Sequence, residues 1–394
     1  MNKILLNIEV QEFINSNLNS DIASILLKGT VFKDVETKAI IEQIEAKKKC
    51  EKKLPTWFKT PHIYYPNKLN IEQTSSEITA QFKASLINGN SIIDLTGGFG
   101  VDSYYFSRRF AKVTYCEIDS TLTEIVMYNY KLLQVTSIDV YLGDGLQYLQ
   151  ETKEQVDWIY IDPSRRHDTK GKVFFLKDCH PNVPQHIDLL FNHSKNIMLK
   201  TSPLLDISVG ISELKYVMEI YIVAVENEVK ELLWILKHKF VGEIVIRTTN
   251  ITKQGVESFS IKLNEEAEIE AKYSEPLHYL YEPNASILKS GGFKSVSAQL
   301  NVFKLGTNSH LYTNEHLIDF PGRRFKIVKA LPYSKAILKK ELPKKANITV
   351  RNFPETVAQI RKKFKIKDGG DLYLFFTTDL NNEKIVLICY KVEI

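Results

Sequence analysis

The chain has 394 residues, of which 44% are hydrophobic and 25% charged, with four cysteines and a formal net charge of +5. At roughly 150 residues per domain this length calls for two or three folded units, and the composition excludes disorder, collagen and a disulfide scaffold. Cys50, Cys116, Cys179 and Cys389 lie far apart with no CxxC pair, so no zinc ribbon is read from them. The apolar run in MNKILLNIEVQEF is too short for an export signal, and no stretch nears the roughly 20 apolar residues that span a bilayer. A cytoplasmic protein without membrane contact is expected.

Residues 1 to about 60 read as helices. Ile14, Ile22, Ile25 and Leu26, then Val35, Ile40, Ile41 and Ile44, recur at roughly helical spacing, and Pro55 breaks the pattern. TWFKTPHIYYPNKLNIEQ follows as an extended connector whose Trp57, Tyr64 and Tyr65 are available for stacking or for packing on the domain. Thr74, three residues before Glu77, predicts a capping box opening a helix through Ala80, Phe82 and Leu86.

From Ser91 the pattern becomes short apolar runs separated by helical segments. SIIDLTGGFG, KVTYCEID, DVYLGDG, VDWIYIDPS and NIMLKTSP are five such runs, each finishing at a polar or acidic residue. This alternation predicts an α/β, doubly wound parallel sheet. VMEIYIVAVENEVKELLWIL predicts an antiparallel hairpin turning near Glu226 to Glu228. The chain is then strand-rich to about residue 320. It closes with an α+β module from about Pro321, containing strand NITVRNF, helix ETVAQIRKKF and strands LYLFFTT and IVLICYKV. The expected divisions are 1–70, 71–240, 241–320 and 321–394.

Charge is concentrated in that last module. From Arg323 to Lys367 there are 15 Lys and Arg against two acids, Glu341 and Glu355, a balance of +13 that leaves −8 for the remaining chain. Such a surface suits a polyanion, because each phosphate neutralised releases a condensed counterion, although a solvated charged face has the same composition.

The most informative stretch is Asp94-Leu95-Thr96-Gly97-Gly98-Phe99-Gly100, where the first strand turns into a helix. Glycines are needed where backbone must turn tightly and lie against a ligand. The dinucleotide pattern GxGxxG fails, since Gly98 and Gly100 are followed by Ser103. The segment is similar instead to the acidic-x-Gly-x-Gly-x-Gly loop of class I S-adenosylmethionine-dependent methyltransferases, with Thr96 replacing the first glycine. The resemblance implies a Rossmann-like sheet and S-adenosylmethionine as cofactor, held by Asp94, Thr96, Gly98 and Gly100. It places the ribose acceptor at Glu117, nineteen residues after Gly98, the adenine amino acceptor at Asp144, and the catalytic motif at Asp162-Pro163-Ser164. A turn or cap role is the alternative for Asp119 and Asp144. Gln73 and Ser75, at a helix start whose amides favour a carboxylate, are candidates for the methionine end.

The resemblance extends to LNIEQTSSEITAQFKA, IDPSRR, YEPNASILKSGGF and KKANITVRNFP…GGDLYLFFTT, which together look like bacterial methyltransferases with a ferredoxin-like region and a C-terminal THUMP-like domain. It implies transfer to a base nitrogen in structured RNA, tRNA or rRNA. In amino-group methyltransferases the fourth strand ends in Asp or Asn, Pro, Pro and an aromatic; here Ser164 and Arg165 depart from that, leaving base stacking unassigned. Arg165 and Arg166 are candidates for phosphate or base contact, with Lys200 and Arg351 as further substrate contacts. No Cys lies beside the motif, which speaks against pyrimidine C5 chemistry. Cys179, His180, His186 and His193 match no metal-ligand spacing, so no metal is expected. The competing readings are transfer to a protein or small molecule, and a non-catalytic RNA-binding protein.

Overall fold

The computed structural model describes residues 1–165 and 175–393. The chain divides into two compact units, the first made of residues 1–201, 208–216 and 234–240, the second of 202–207, 217–233 and everything from 241. No helix among the described residues is long and apolar enough to cross a membrane.

The first unit opens with helices α1 (Ile8–Ser16), α2 (Ile22–Lys28) and α3 (Thr37–Lys53). Asp21 caps α2 by accepting from the amides of Ala23 and Ser24. Most of the apolar spacing does its expected work: Val10, Ile14, Ile25, Val35, Ile40, Ile41 and Ile44 form one buried cluster with Ile22 partly buried against it, whereas Leu26 is exposed. Beyond α3 the connector is largely helical. Pro55 occupies the first turn of α4 (Pro55–Lys59), where its missing N–H costs nothing, and α5 (Lys68–Gln73) follows. Trp57 and Tyr65 are buried in a core with Phe99, Tyr104 and Tyr115, so they pack on the domain instead of offering faces for stacking.

The capping box expected at Thr74 is not formed. Thr74 closes α5, and Ser76 caps α6 (Glu77–Leu86) by accepting from Thr79 N–H at 3.2 Å. Glu77 has better partners than its own helix start: its carboxylate accepts from Thr56 N and Oγ1 and from Tyr105 Oη. A buried acid with three donors is not available to reach back.

The five expected strands are present as β1 (Ser91–Asp94), β2 (Lys112–Glu117), β3 (Ile138–Leu142), β4 (Trp158–Ile161) and β5 (Asn196–Thr201). They lie in the order β5-β4-β1-β2-β3, all parallel, alternating with α7 (Val101–Phe106), α8 (Ser120–Leu132), α9 (Gly145–Glu151) and α10 (Val183–His193). Parallel order brings every strand's carboxyl end to one edge, the edge at which such sheets bind ligands.

β6 (Val217–Val225) turns through Glu226 and Asn227, both at positive φ, into β7 (Glu228–Lys237), the hairpin the sequence predicts. β8 (Val245–Thr252) runs parallel to β6 and antiparallel to β9 (Gly255–Lys262). A separate sheet is built from β10 (Tyr279–Pro283), β11 (Phe303–Lys304), β12 (Tyr312–Asn314), β13 (Gly322–Pro332), β14 (Asn347–Val350), β15 (Leu372–Thr378) and β16 (Lys384–Val392), in the order β11-β12-β10-β13-β16-β15-β14. The division at 320/321 therefore falls inside one sheet, because β13 pairs with β10 on one side and β16 on the other. β13 and helix α11 (Lys335–Glu341) went unread in the sequence: their Lys and Arg density masks the apolar alternation. Helices α11 and α12 (Val357–Phe364) bury Leu338 and Ile360 over Leu374, Phe376, Val386 and Ile388.

Buried Glu282 on β10 ties this sheet together. Its Oε2 accepts from Arg323 Nε at 2.6 Å and its Oε1 from Arg351 at 2.8 Å. Glu282→Ala should lower stability by about 1–3 kcal/mol, read as an earlier urea-unfolding transition, since it strands two charged donors in a half-buried site.

Candidate active site

The loop after β1 is shaped by side chains beneath it. An added Cβ on Gly97 would sit 2.1 Å from the Tyr115 ring, and one on Gly100, at φ +75°, 2.3 Å from the Tyr130 hydroxyl. Those tyrosines hold the loop from below, Tyr115 Oη donating to Gly98 O at 2.6 Å and Tyr130 Oη to Gly100 O at 2.8 Å. Gly98, at φ +54°, has no atom closer than 3.9 Å to its would-be Cβ, so its outer side is bare backbone. A cradle closed underneath and open above is what a ligand lying along the backbone requires, and the residues present fit an S-adenosyl group.

Acids from neighbouring strands surround this cradle. Glu117, ending β2, accepts from Gly98 N at 2.9 Å through Oε2 and from Asp119 N at 2.8 Å through Oε1. Each oxygen keeps a lone pair for a hydroxyl donor. Asp119 caps α8, as its alternative reading had it. Asp144 caps α9, accepting from Leu146 N at 2.7 Å, while its Oδ2 lies 3.8 Å from His180 Nε2. Ile118 and Leu142, next to the acid end of β2 and at the end of β3, are 67% and 55% exposed. Apolar side chains left bare beside carboxylates suit a flat ring; the signal available in the sequence was an isoleucine directly after the strand-ending Glu117.

Asp94 lies wholly buried beneath the loop. Its Oδ1 accepts from Thr96 N at 3.0 Å and its Oδ2 from Ser103 Oγ at 2.6 Å. Burial pushes its carboxyl up to about 7, against those two hydrogen bonds. Asp94 is thus a brace for the loop, with Thr96 turned toward it and toward Asp162.

Asp162 follows β4. Its N–H donates to Thr96 Oγ1 at 2.7 Å and its Oδ2 accepts from Lys200 Nζ at 2.5 Å. Pro163 is buried and Ser164 exposed. The chain then pairs back, Ser164 with His180 and Arg165 with Cys179, which brings His180, considered in the sequence only as a metal ligand, between the motif and Asp144. Arg166 and the side chain of Arg165 lie outside the described residues.

Ser75 is engaged in a buried network. It donates to Asp102 Oδ2 at 2.8 Å and accepts from the fully buried Lys83 Nζ at 3.1 Å, while Tyr160 Oη also donates to Asp102 Oδ2 at 2.8 Å. Burial pushes the Asp102 carboxyl up, and Lys83, Lys200 and the two hydroxyls more than offset it, holding it below the usual carboxylate range. Gln73 is exposed at the end of α5. Beside it Lys53, pushed down to about 8 by burial and by Lys200, donates to Ile71 O and Glu72 O at 2.8 Å each. Neither this network nor Lys53 carries a motif that sequence reasoning could have found. Arg351, far along the chain, is held by Glu282 in the second unit.

A crystal structure of a candidate methyltransferase from Porphyromonas gingivalis W83 is 30% identical, with a TM-score of 0.90 and 100% of both chains covered. The chain belongs to the family of this protein. The model of a ferredoxin-like domain family matches residues 279–321 and that of a THUMP domain-like family residues 322–391. In this methyltransferase-like family member the two matches share one sheet, β10 to β12 from the first and β13 to β16 from the second. Partial matches include the candidate methyltransferase YhhF of Escherichia coli (16% identity, TM-score 0.31, 41% of this chain and 85% of that one). An rRNA methylase of Streptococcus thermophilus is another (12% identity, TM-score 0.31, 41% and 93%). No curated protein matches the sequence.

The buried Asp94 makes a pH prediction. The folded chain keeps this proton up to about pH 7, whereas an unfolded aspartate releases it near 3.8, so between those values stability contributed by Asp94 is lost as pH rises. Urea midpoints measured across this range should therefore shift in favour of Asp94→Asn, relative to wild type, with rising pH, and the difference should level off above it.

Proposed function

We propose that the protein is an S-adenosylmethionine-dependent methyltransferase that modifies a base nitrogen in structured RNA. The observation that carries the reading is the convergence of an open glycine cradle, Glu117, Asp144 and Asp162 on the carboxyl edge of one parallel sheet. Gly98 and Gly100 would lie along the donor, Glu117 would accept its ribose hydroxyls and Asp144 its adenine amino group. Bound there, S-adenosylmethionine supplies a methyl group activated by a sulfonium.

The chain's own contribution is orientation. In-line displacement needs the nucleophile held in contact and water kept out. The Asp162 carboxylate would accept an N–H of the target, with the Pro163 carbonyl as second acceptor, directing the nitrogen lone pair at the methyl carbon. The C–N bond would form as the sulfonium C–S bond breaks and the thioether departs; the target N–H then becomes acidic, and Asp162 would take that proton and pass it to solvent.

Support for RNA comes from the basic segment. Six of its fifteen cations are ion-paired: Arg323 and Arg351 to Glu282, Arg324 to Asp319, Lys329 to Glu341, Lys363 to Glu355 and Arg361 to Asp368. The other nine, all lysines and all exposed, have no acid partner among the described residues. Lys344 and Lys345 run beside Lys367, joined by Ala346 N to Lys367 O at 3.0 Å and Lys367 N to Lys344 O at 2.9 Å. Exposed, unpaired lysines are the ones that can release counterions from a phosphate backbone.

Calorimetry with S-adenosylhomocysteine should detect one site, weakened at least about tenfold by Glu117→Ala through loss of two charge-assisted hydrogen bonds. Transfer from labelled donor to RNA from cells lacking the protein should fall about 100-fold or more in Asp162→Ala. Absence of donor binding in the wild type would refute the reading. Replacing Lys339, Lys344 and Lys367 with Gln should lower the slope of log affinity against log salt by about 2, at roughly 0.7–0.9 per phosphate contact. An unchanged slope would remove this face from the RNA contact.

A further inference from the structure

Asp162 is held from two sides by residues outside its own motif. On the backbone side its N–H donates to Thr96 Oγ1 at 2.7 Å. A hydroxyl oxygen accepting from an amide turns its own hydrogen elsewhere, and the acceptor facing Thr96 is Asp94 Oδ1 at 3.5 Å, which also takes the Thr96 N–H at 3.0 Å. Thr96 occupies the position at which the resembled loop has glycine, and a glycine could bridge neither group. On the side-chain side Lys200, on the neighbouring β5, places Nζ 2.5 Å from Asp162 Oδ2 and is only 12% exposed. Asp162 Oδ1 accepts no hydrogen bond among the described residues.

We propose that Thr96 and Lys200 are positioning residues that fix the orientation of Asp162 with Oδ1 facing outward, so that the site admits a nucleophile bearing an N–H. This rests on the methyl-transfer reading above and deepens it. The motif lacks the second proline and aromatic that would stiffen the corner and stack on the target, and the two struts supply rigidity from the flanking strands. A carboxylate whose Oδ2 is bound by an ammonium is held in one orientation, with Oδ1 left for a donor from the substrate. The consequence is selection by hydrogen-bond polarity: a nitrogen carrying hydrogen is welcomed, and an unprotonated ring nitrogen presents a lone pair to a carboxylate and is repelled.

The test compares Thr96→Val, Thr96→Ser, Lys200→Met and Lys200→Arg in the full chain. Three readouts are taken: affinity for S-adenosylhomocysteine, residue-resolved hydrogen exchange at the Asp162 amide, and single-turnover transfer to RNA from cells lacking the protein. Thr96→Val should slow transfer about tenfold, the value of one lost hydrogen bond, in the rate constant and not in the RNA concentration dependence, with donor affinity within about threefold. Thr96→Ser should restore most of it. The Asp162 amide should exchange at least about tenfold faster in Thr96→Val and return to protection in Thr96→Ser. Lys200→Met should slow transfer more than Lys200→Arg. Wild-type amide protection in Thr96→Val, or wild-type transfer in both Thr96→Val and Lys200→Met, overturns the proposal. A wild-type protein that methylates no RNA sinks the functional reading instead, and the exchange comparison still decides the Thr96 strut.

Discussion

The glycine turn from Gly97 to Gly100 is the constraint on which the rest of the site depends. Tyr115 and Tyr130 fill the space a Cβ at Gly97 or Gly100 would need and anchor the loop through their hydroxyls, so the strand after Asp94 can turn sharply and leave its outer face uncovered. Gly145, at the crossover after β3, extends the same rule, since an added Cβ there would meet Leu95 O at 2.6 Å. Because the loop lies this low, Glu117 can reach Gly98 N and Asp162 N can reach Thr96. A larger residue at Gly97 would meet the Tyr115 ring and lift the loop away from Glu117 and Asp162.

Charge in the first unit follows a second rule: a buried ion has a partner or gives up its charge. Lys83 has no exposure and meets Asp102 Oδ1 at 3.2 Å, while Ser75 and Tyr160 donate to Oδ2. Such a pair adds little net stability over an apolar pair of the same shape, but it defines geometry closely. Asp94 has only neutral donors and answers by holding its proton to about pH 7. Lys200 lies where both rules meet, compensating Asp162 directly and Asp102 at longer range. The candidate catalytic acid therefore shares a cation with the buried pair that fixes the geometry of the interior.

The second unit separates two roles that composition alone merges. Glu282 draws Arg323 and Arg351 inward as braces for the sheet, while the lysines of α11 and of the β14 approach remain exposed. A count of +13 overstates the charge available to a polyanion, and Arg351, chosen from the sequence as a substrate contact, is engaged by a buried acid 69 positions away.

The sequence by itself determined the local grammar. Five apolar runs ending in polar or acidic residues, glycines between the first run and its helix, and a turn near Glu226 to Glu228 all appear where period and turn chemistry put them, because each depends on neighbours within a few residues. Tertiary structure decided the partners. Glu77 left its expected capping box for Thr56 and Tyr105, Pro55 began a helix instead of only ending one, and Ser75 turned from a pocket candidate into a bond with Asp102. The sheet running through residue 321, and Lys200 closing on Asp162, depend on strands distant in sequence. A side chain's hydrogen-bond partner is chosen by burial among everything within reach, and reach is set by the folded chain.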